Sequence, residues 1–88
     1  GEDGHIASLF PHSPVLHEQK LLCVPVNGPK PPYKRLTVTP PVIKNAKSIF
    51  ILAPGINKAK IMKEAQQNTS DIDNLPVLLA QNPIWCLD

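Results

Sequence analysis

Apolar residues along this chain come in short bursts separated by prolines and polar joints, a pattern of many brief elements rather than long helices. The clearest burst, Ser48 to Ala53, is almost wholly apolar and predicts a short strand with both faces covered. Gly55 follows directly, and Asn57 to Gln67 has helical composition, with Ile61, Met62 and Ala65 spaced to form one buried side. Upstream, Lys20 to Val26 is a buried-strand candidate in which Pro25 argues for a strand end or an edge. Asn27 to Pro32 is loop chemistry. Tyr33 to Thr39 alternates β-branched residues and predicts a second strand, and Pro40 or Pro41 suits the first turn of a helix through Ala46. The opening Gly1 to Pro14 is expected to be a loop leading into a helical turn, with helix over Ile6 to Phe10 stopped by Pro11 and Pro14. Asn68 to Asn74 predicts a polar loop, Leu75 to Gln81 a short helix, and Ile84 to Leu87 a last strand. Strands alternating with helices through short joints imply an α/β layer with at least some parallel strands, in one domain without internal repeats.

Composition narrows the classes. Eighty-eight residues make one small domain or a piece of a larger one. The two cysteines, Cys23 and Cys86, each lie in an apolar run and read as buried, reduced core residues of a cytoplasmic protein. No C-x-x-C or Cys/His spacing suggests zinc, so no metal is expected. The net charge of +2 comes from scattered lysines with few aromatic residues, which gives nucleic acid binding little support but suits a small anionic ligand. No apolar run approaches the length of a membrane span, and no secretory pattern opens the chain. Eleven prolines sit at joints between elements and form no repeat.

Candidate chemistry concentrates at the beginning. Gly1-Glu2-Asp3-Gly4-His5 places a carboxylate, a flexible glycine and an imidazole within three positions. His5 can accept or donate a proton near neutrality, and Asp3 is close enough to orient it or to touch a ligand. A lone histidine is more often structural, but Gly4 beside it costs too much order for a core position and tilts the reading toward catalysis. A second constellation is Ala53-Pro54-Gly55-Ile56-Asn57-Lys58, where a strand ends, Gly55 turns the chain, and a helix opens with Lys58 in its first turn. Free N–H groups there favour an anion, but the local sequence taken alone favours a plain glycine-mediated turn with a solvated lysine. Arg35, the single arginine, suits phosphate or carboxylate oxygens; a surface role beside Lys34 is an even alternative. His12 and His17 read as exposed, with His12 a distant second candidate. Ser8 lacks a G-x-S-x-G frame and reads as a capping or packing residue, and Asp71 and Asp88 have no partner nearby in sequence.

The opening string Asp3-Gly4-His5-Ile6-Ala7-Ser8-Leu9-Phe10-Pro11 resembles the D-G-H-x-A-S-L-F-P signature of the 6-phosphogluconolactonases. Pro31 to Thr39 is similar to that family's stretch of proline, two residues, arginine, then aliphatic and threonine in alternation. Val42 to Ala46 resembles its aliphatic helix ending in alanine, and Gly55, Lys58 and Ala59 meet its G-x-x-K-A/R turn. Leu75-Pro76 and Trp85-Cys86-Leu87-Asp88 look like its closing helix and W-x-x-D end. The resemblance implies the C-terminal part of a Rossmann-like three-layer α/β sandwich with a mostly parallel sheet. Residues 1–88 would be the C-terminal portion of one lactonase domain whose N-terminal half is absent, so that half or another chain is an expected partner. It implies hydrolysis of 6-phosphoglucono-δ-lactone to 6-phosphogluconate in the pentose phosphate pathway, without metal or cofactor, on a small phosphorylated sugar lactone. His5 would be the general base, Asp3 its positioning partner, and Arg35, Lys58, Gly4 and Gly55 the substrate and phosphate contacts. Glucosamine-6-phosphate deaminases share D-G-H-I-A but continue F-N-E-P, and here Phe10 stands where their glutamate assists ring opening. That departure favours a lactonase over a deaminase or isomerase relative; a non-catalytic sugar-phosphate-binding fragment is the alternative from another class.

Overall fold

The computed structural model describes residues 1–67 and 70–86. Two small sheets organise them. β1 (Cys23–Asn27) and β2 (Lys34–Val38) form an antiparallel hairpin in which Pro25 faces Leu36. A strand containing proline cannot donate a full ladder, and β1 accordingly pairs on one side with β2 and on the other with no described strand. The hairpin loop is closed by Gly28 N–H donating to the Tyr33 carbonyl at 2.7 Å. α1 (Pro40–Lys44) then starts on two prolines, whose missing N–H groups a first helical turn does not need.

β3 (Phe50–Leu52) and β4 (Ile84–Cys86) run parallel, with Ile51 opposite Trp85. A parallel pair needs a long crossover, and here it comprises a 3₁₀ turn at Ile56–Lys58, α2 (Ala59–Gln67) and a second 3₁₀ turn at Pro76–Leu79. The β3–α2–β4 unit is the parallel α/β element expected from the alternation of apolar bursts. The core gathers Leu9, Leu16, Ile43, Leu79 and Ala80, with Ile49 and Ile51 packed against it. It therefore ties the opening loop, the 3₁₀ turn Pro14–His17, α1 and the end of the crossover into one body.

Three sequence expectations are corrected. Ile6 to Phe10 is not helical: Ile6 and Leu9 form an isolated bridge around Ala7, whose φ is 53°. The cause is tertiary, since Ser8 N–H donates to Thr37 Oγ1 at 3.0 Å on the hairpin, and Leu9 is pulled into the core. Cys23 is exposed, because it falls on the outward face of β1, while Cys86 is half-buried; both are free thiols. β3 is not covered on both faces: Phe50 and Leu52 are 62 % and 74 % exposed, since they share the face of the β3–β4 pair that turns away from Ile51 and the core. The last strand is observed over Ile84–Cys86, and Leu87, with which it was expected to end, lies outside the described residues.

Candidate active site

The opening residues form a tight turn around the imidazole. Gly4 N–H donates to the Gly1 carbonyl at 3.0 Å, and the Gly4 carbonyl accepts from Val77 N–H at 2.9 Å, fixing the turn to the second 3₁₀ segment. Gly4 has φ +85° and is buried; a Cβ there would lie 2.6 Å from Leu75 Cδ2. Both the backbone angle and the space require glycine. The turn brings Asp3 back onto His5: Asp3 Oδ1 accepts from His5 backbone N–H at 3.1 Å and lies 2.6 Å from His5 Nδ1.

That geometry settles the imidazole's hydrogen bonding. An ionised carboxylate only accepts, so Nδ1 carries the proton, and in the neutral form of the ring the lone pair is on Nε2. Burial pushes the Asp3 carboxyl up, but the hydrogen bonds from the His5 backbone and ring outweigh it and hold the group below the usual carboxylate range. Asp3 therefore stays ionised at neutral pH and continues to orient His5. The Phe10 ring lies against the imidazole, with centroids 4.7 Å apart and planes tilted by 46°.

His5 lines a cavity of about 300 Å³ together with Gly1, Gly4, Lys58, Ile61 and Trp85. That is the lower end of the volume of small-molecule sites, roughly 300–1,000 Å³. Much of the lining is apolar, from β3 and α2, and Lys58 adds a cation to it, half-buried at the end of the 3₁₀ turn that runs into α2. Gly55 opens that turn with φ 98° and ψ 143°, a conformation open essentially to glycine. No acidic side chain occupies the first turn of α2 or of the 3₁₀ segment before it, so Lys58 meets no carboxylate there. The arrangement offers an oriented base and a positive charge in one cleft, which suits proton transfer on an anionic small molecule.

The other expected site residues are placed as follows. Gly55 adjoins the cavity in sequence but is not among its lining residues. Arg35 also stands outside the wall: its Nε donates to the Pro32 carbonyl at 2.8 Å, its Nη2 donates to the Lys30 carbonyl at 2.9 Å, and its guanidinium lies 5.2 Å from the centre of the Phe10 ring. His12 and His17 are exposed and away from the cavity, with His17 paired to Asp73 at 2.8 Å. Asp71 caps a local turn by accepting from Asn74, and Asp88 lies outside the described residues. Among the described residues no group of three or more His, Cys, Asp or Glu side chains could hold a metal ion, and no helix is long and apolar enough to cross a membrane. Sequence reasoning did not anticipate the lining by Trp85 of β4, nor by Ile61 and Met62, which the α2 pattern marked only as part of a buried side.

The chain is similar to known proteins in sequence and in fold. The family model described as glucosamine-6-phosphate isomerases/6-phosphogluconolactonase matches residues 1–85. The 6-phosphogluconolactonase of Homo sapiens is 38 % identical over 93 aligned positions, covering 100 % of this chain and 36 % of the relative. That of Mycobacterium tuberculosis is 38 % identical over 92 positions, covering 100 % and 37 %. Among solved structures, a 6-phosphogluconolactonase from Shewanella baltica superimposes with a TM-score of 0.77 at 30 % identity, covering 99 % of this chain and 40 % of that one. The 6-phosphogluconolactonase of Trypanosoma brucei gives 0.75 at 26 % identity, covering 99 % and 35 %. The chain thus spans a little over a third of the length of the curated relatives it matches.

Proposed function

Because this chain belongs to the glucosamine-6-phosphate isomerase/6-phosphogluconolactonase family, we propose that it carries the hydrolytic centre of a 6-phosphogluconolactonase. The reaction is hydrolysis of 6-phosphoglucono-δ-lactone to 6-phosphogluconate in the pentose phosphate pathway, and the compartment is the cytoplasm. The observation that carries the reading is His5, oriented through Nδ1 by Asp3 at 2.6 Å, in one cavity with Lys58.

The mechanism follows from that geometry. His5 Nε2 takes a proton from water as the water oxygen bonds to the lactone carbonyl carbon. The carbonyl becomes a tetrahedral oxyanion and the imidazole becomes imidazolium, stabilised by the ionised Asp3 on Nδ1. Collapse breaks the bond from that carbon to the ring oxygen, which leaves with the proton returned by Nε2. The products are a free hydroxyl and a carboxylic acid that ionises in water. Lys58 holds the phosphate, with the Gly55 turn giving it room, and Gly4 lets the backbone approach the substrate. Arg35, which stands outside the cavity wall with its Nε and Nη2 on backbone carbonyls, is read as a further anion contact for a part of the substrate that extends beyond that wall.

The relatives' names favour the lactonase over the isomerase branch. Phe10 supports the same choice, being an apolar ring against His5 where an acid would be needed to open an amino sugar. Residues 1–88 are read as the C-terminal portion of one lactonase domain, and the uncovered apolar face carrying Phe50, Leu52 and Ile84 suits packing against the rest of it. The test is turnover of 6-phosphoglucono-δ-lactone by the chain after subtraction of spontaneous hydrolysis, beside ammonia release from glucosamine 6-phosphate. Excess lactone opening with no ammonia is expected. Ammonia release without lactone opening would overturn the assignment.

A further inference from the structure

His5 is restrained on three sides, and only two of them follow from its neighbours in sequence. Asp3 holds Nδ1, and the Gly1 backbone approaches so closely that a Cβ there would lie 2.5 Å from the His5 Cε1 atom. The third side is the ring of Phe10, five residues further on and only 8 % exposed. The chain reaches that position through the Ile6–Leu9 turn, which Ser8 pins to Thr37 of the hairpin. Phe10 is then held from both ends. Its carbonyl accepts from Ser13 N–H at 3.1 Å, and its ring carries the Arg35 guanidinium, itself tied to the carbonyls of Lys30 and Pro32. A cation within about 6 Å of a ring centre is attracted to its face. The hairpin loop, Arg35, Phe10 and His5 thus form one continuous chain of contacts from a backbone anchor to the imidazole.

We propose that Phe10 is a positioning residue for His5: its ring, clamped by Arg35, stops the imidazole from rotating off Asp3 and so keeps Nε2 as the unprotonated nitrogen. The proposal deepens the lactonase reading and, for its effect on rate, rests on it. An imidazole bonded at one nitrogen can still swing or flip about its own side-chain torsion, and a small residue at position 10 would leave that face open. Positioning errors of about 1 Å can cost on the order of 100-fold in rate. Phe10 is not among the residues that line the cavity and reaches it only through the His5 ring, so its loss should act on kcat and leave substrate affinity alone.

The test uses the full chain with Phe10→Leu, which keeps an apolar side chain but removes the aromatic face, and Phe10→Tyr, which restores the face. Two readouts are taken: kcat and KM for the lactone, and the tautomer of His5 by long-range ¹H–¹⁵N correlation above about pH 8, where an ordinary imidazole is neutral. In the wild type a single Nδ1–H tautomer and nuclear Overhauser contacts between the Phe10 and His5 rings are expected. Phe10→Leu should mix the tautomers and lower kcat by about 10- to 100-fold with KM within about twofold, and Phe10→Tyr should recover both. A folded Phe10→Leu protein that keeps one tautomer and a full kcat overturns the proposal, as does a wild type without the ring-to-ring contacts should the leucine variant fail to fold. If the wild type shows no lactone turnover, the functional reading fails, and the tautomer measurement still decides the role of Phe10.

Discussion

Replacing Gly4 by alanine tests whether the turn that builds the site depends on both backbone angle and space. Gly4 sits at φ +85°, is buried, and donates and accepts one backbone hydrogen bond, to Gly1 and from Val77. An L-residue in the left-handed region costs about 1–2 kcal/mol. The new Cβ would also lie 2.6 Å from Leu75 Cδ2, and Leu75 is only 3 % exposed, so its side chain has little room to retreat. Overpacking of this kind adds about 1–3 kcal/mol, for a total of roughly 2–5 kcal/mol. A chain of this size has a total stability of only about 4–13 kcal/mol, so the variant should melt far earlier. At about 4–8 °C per kcal/mol the fall in Tm is roughly 8–40 °C. Thermal and urea unfolding followed by circular dichroism measure it. The double variant Gly4→Ala/Leu75→Val separates the two causes, because shortening Leu75 relieves the clash but not the backbone strain. Its cost should be less than the sum of the single changes by about 0.5–3 kcal/mol. A Gly4→Ala protein within about 0.5 kcal/mol of wild type, or a strictly additive pair, would refute this account of the turn.

Asp3→Asn should lower lactone turnover by roughly 100-fold or more, since the amide can donate to Nδ1 and so favour the proton on Nε2; steady-state kinetics check it. The Asp3 carboxyl is held below its ordinary value in the folded chain, so the stability it adds is complete above the unfolded value of about 3.9 and is lost as pH falls through the lower folded one. Acid unfolding below about pH 4 should therefore be shallower in Asp3→Asn, as read from urea midpoints across pH. Lys58→Met should raise KM for the lactone and weaken inhibition by inorganic phosphate while leaving kcat nearly unchanged, which inhibition kinetics will show. Thr37→Val removes the acceptor of the Ser8 N–H and should cost about 1–3 kcal/mol in urea unfolding, because Thr37 is buried and no water replaces it easily.

Local chemistry made several features legible before any coordinates. The Asp3–Gly4–His5 spacing foretold a carboxylate beside an imidazole, because three positions and a glycine allow that contact in few other ways. Pro25 marked an edge strand since it lacks an N–H, and the apolar burst before Gly55 marked β3 and its turn into a helix. What escaped depends on partners distant in sequence. The left-handed Ala7 follows from a bond between Ser8 and Thr37, 29 positions apart, and periodicity inside Ile6–Phe10 carries no trace of it. Exposure of Cys23 and Phe50 depends on which face of a two-stranded sheet the core covers, whereas an apolar run reports only that something can be buried. The ring of Phe10 looked like a missing acid in sequence; its contact with His5 and Arg35 needed the turn that folds it back.

The claim on which the rest depends is that the His5 imidazole removes a proton from water in a cleft shared with Lys58. The most direct measurement compares wild type with His5→Ala in opening 6-phosphoglucono-δ-lactone, each corrected for the spontaneous rate, with added imidazole as a rescue. The account predicts that the excess rate vanishes in the alanine variant and is partly restored by imidazole as the lactone saturates. An alanine variant that opens the lactone as fast as wild type would contradict it.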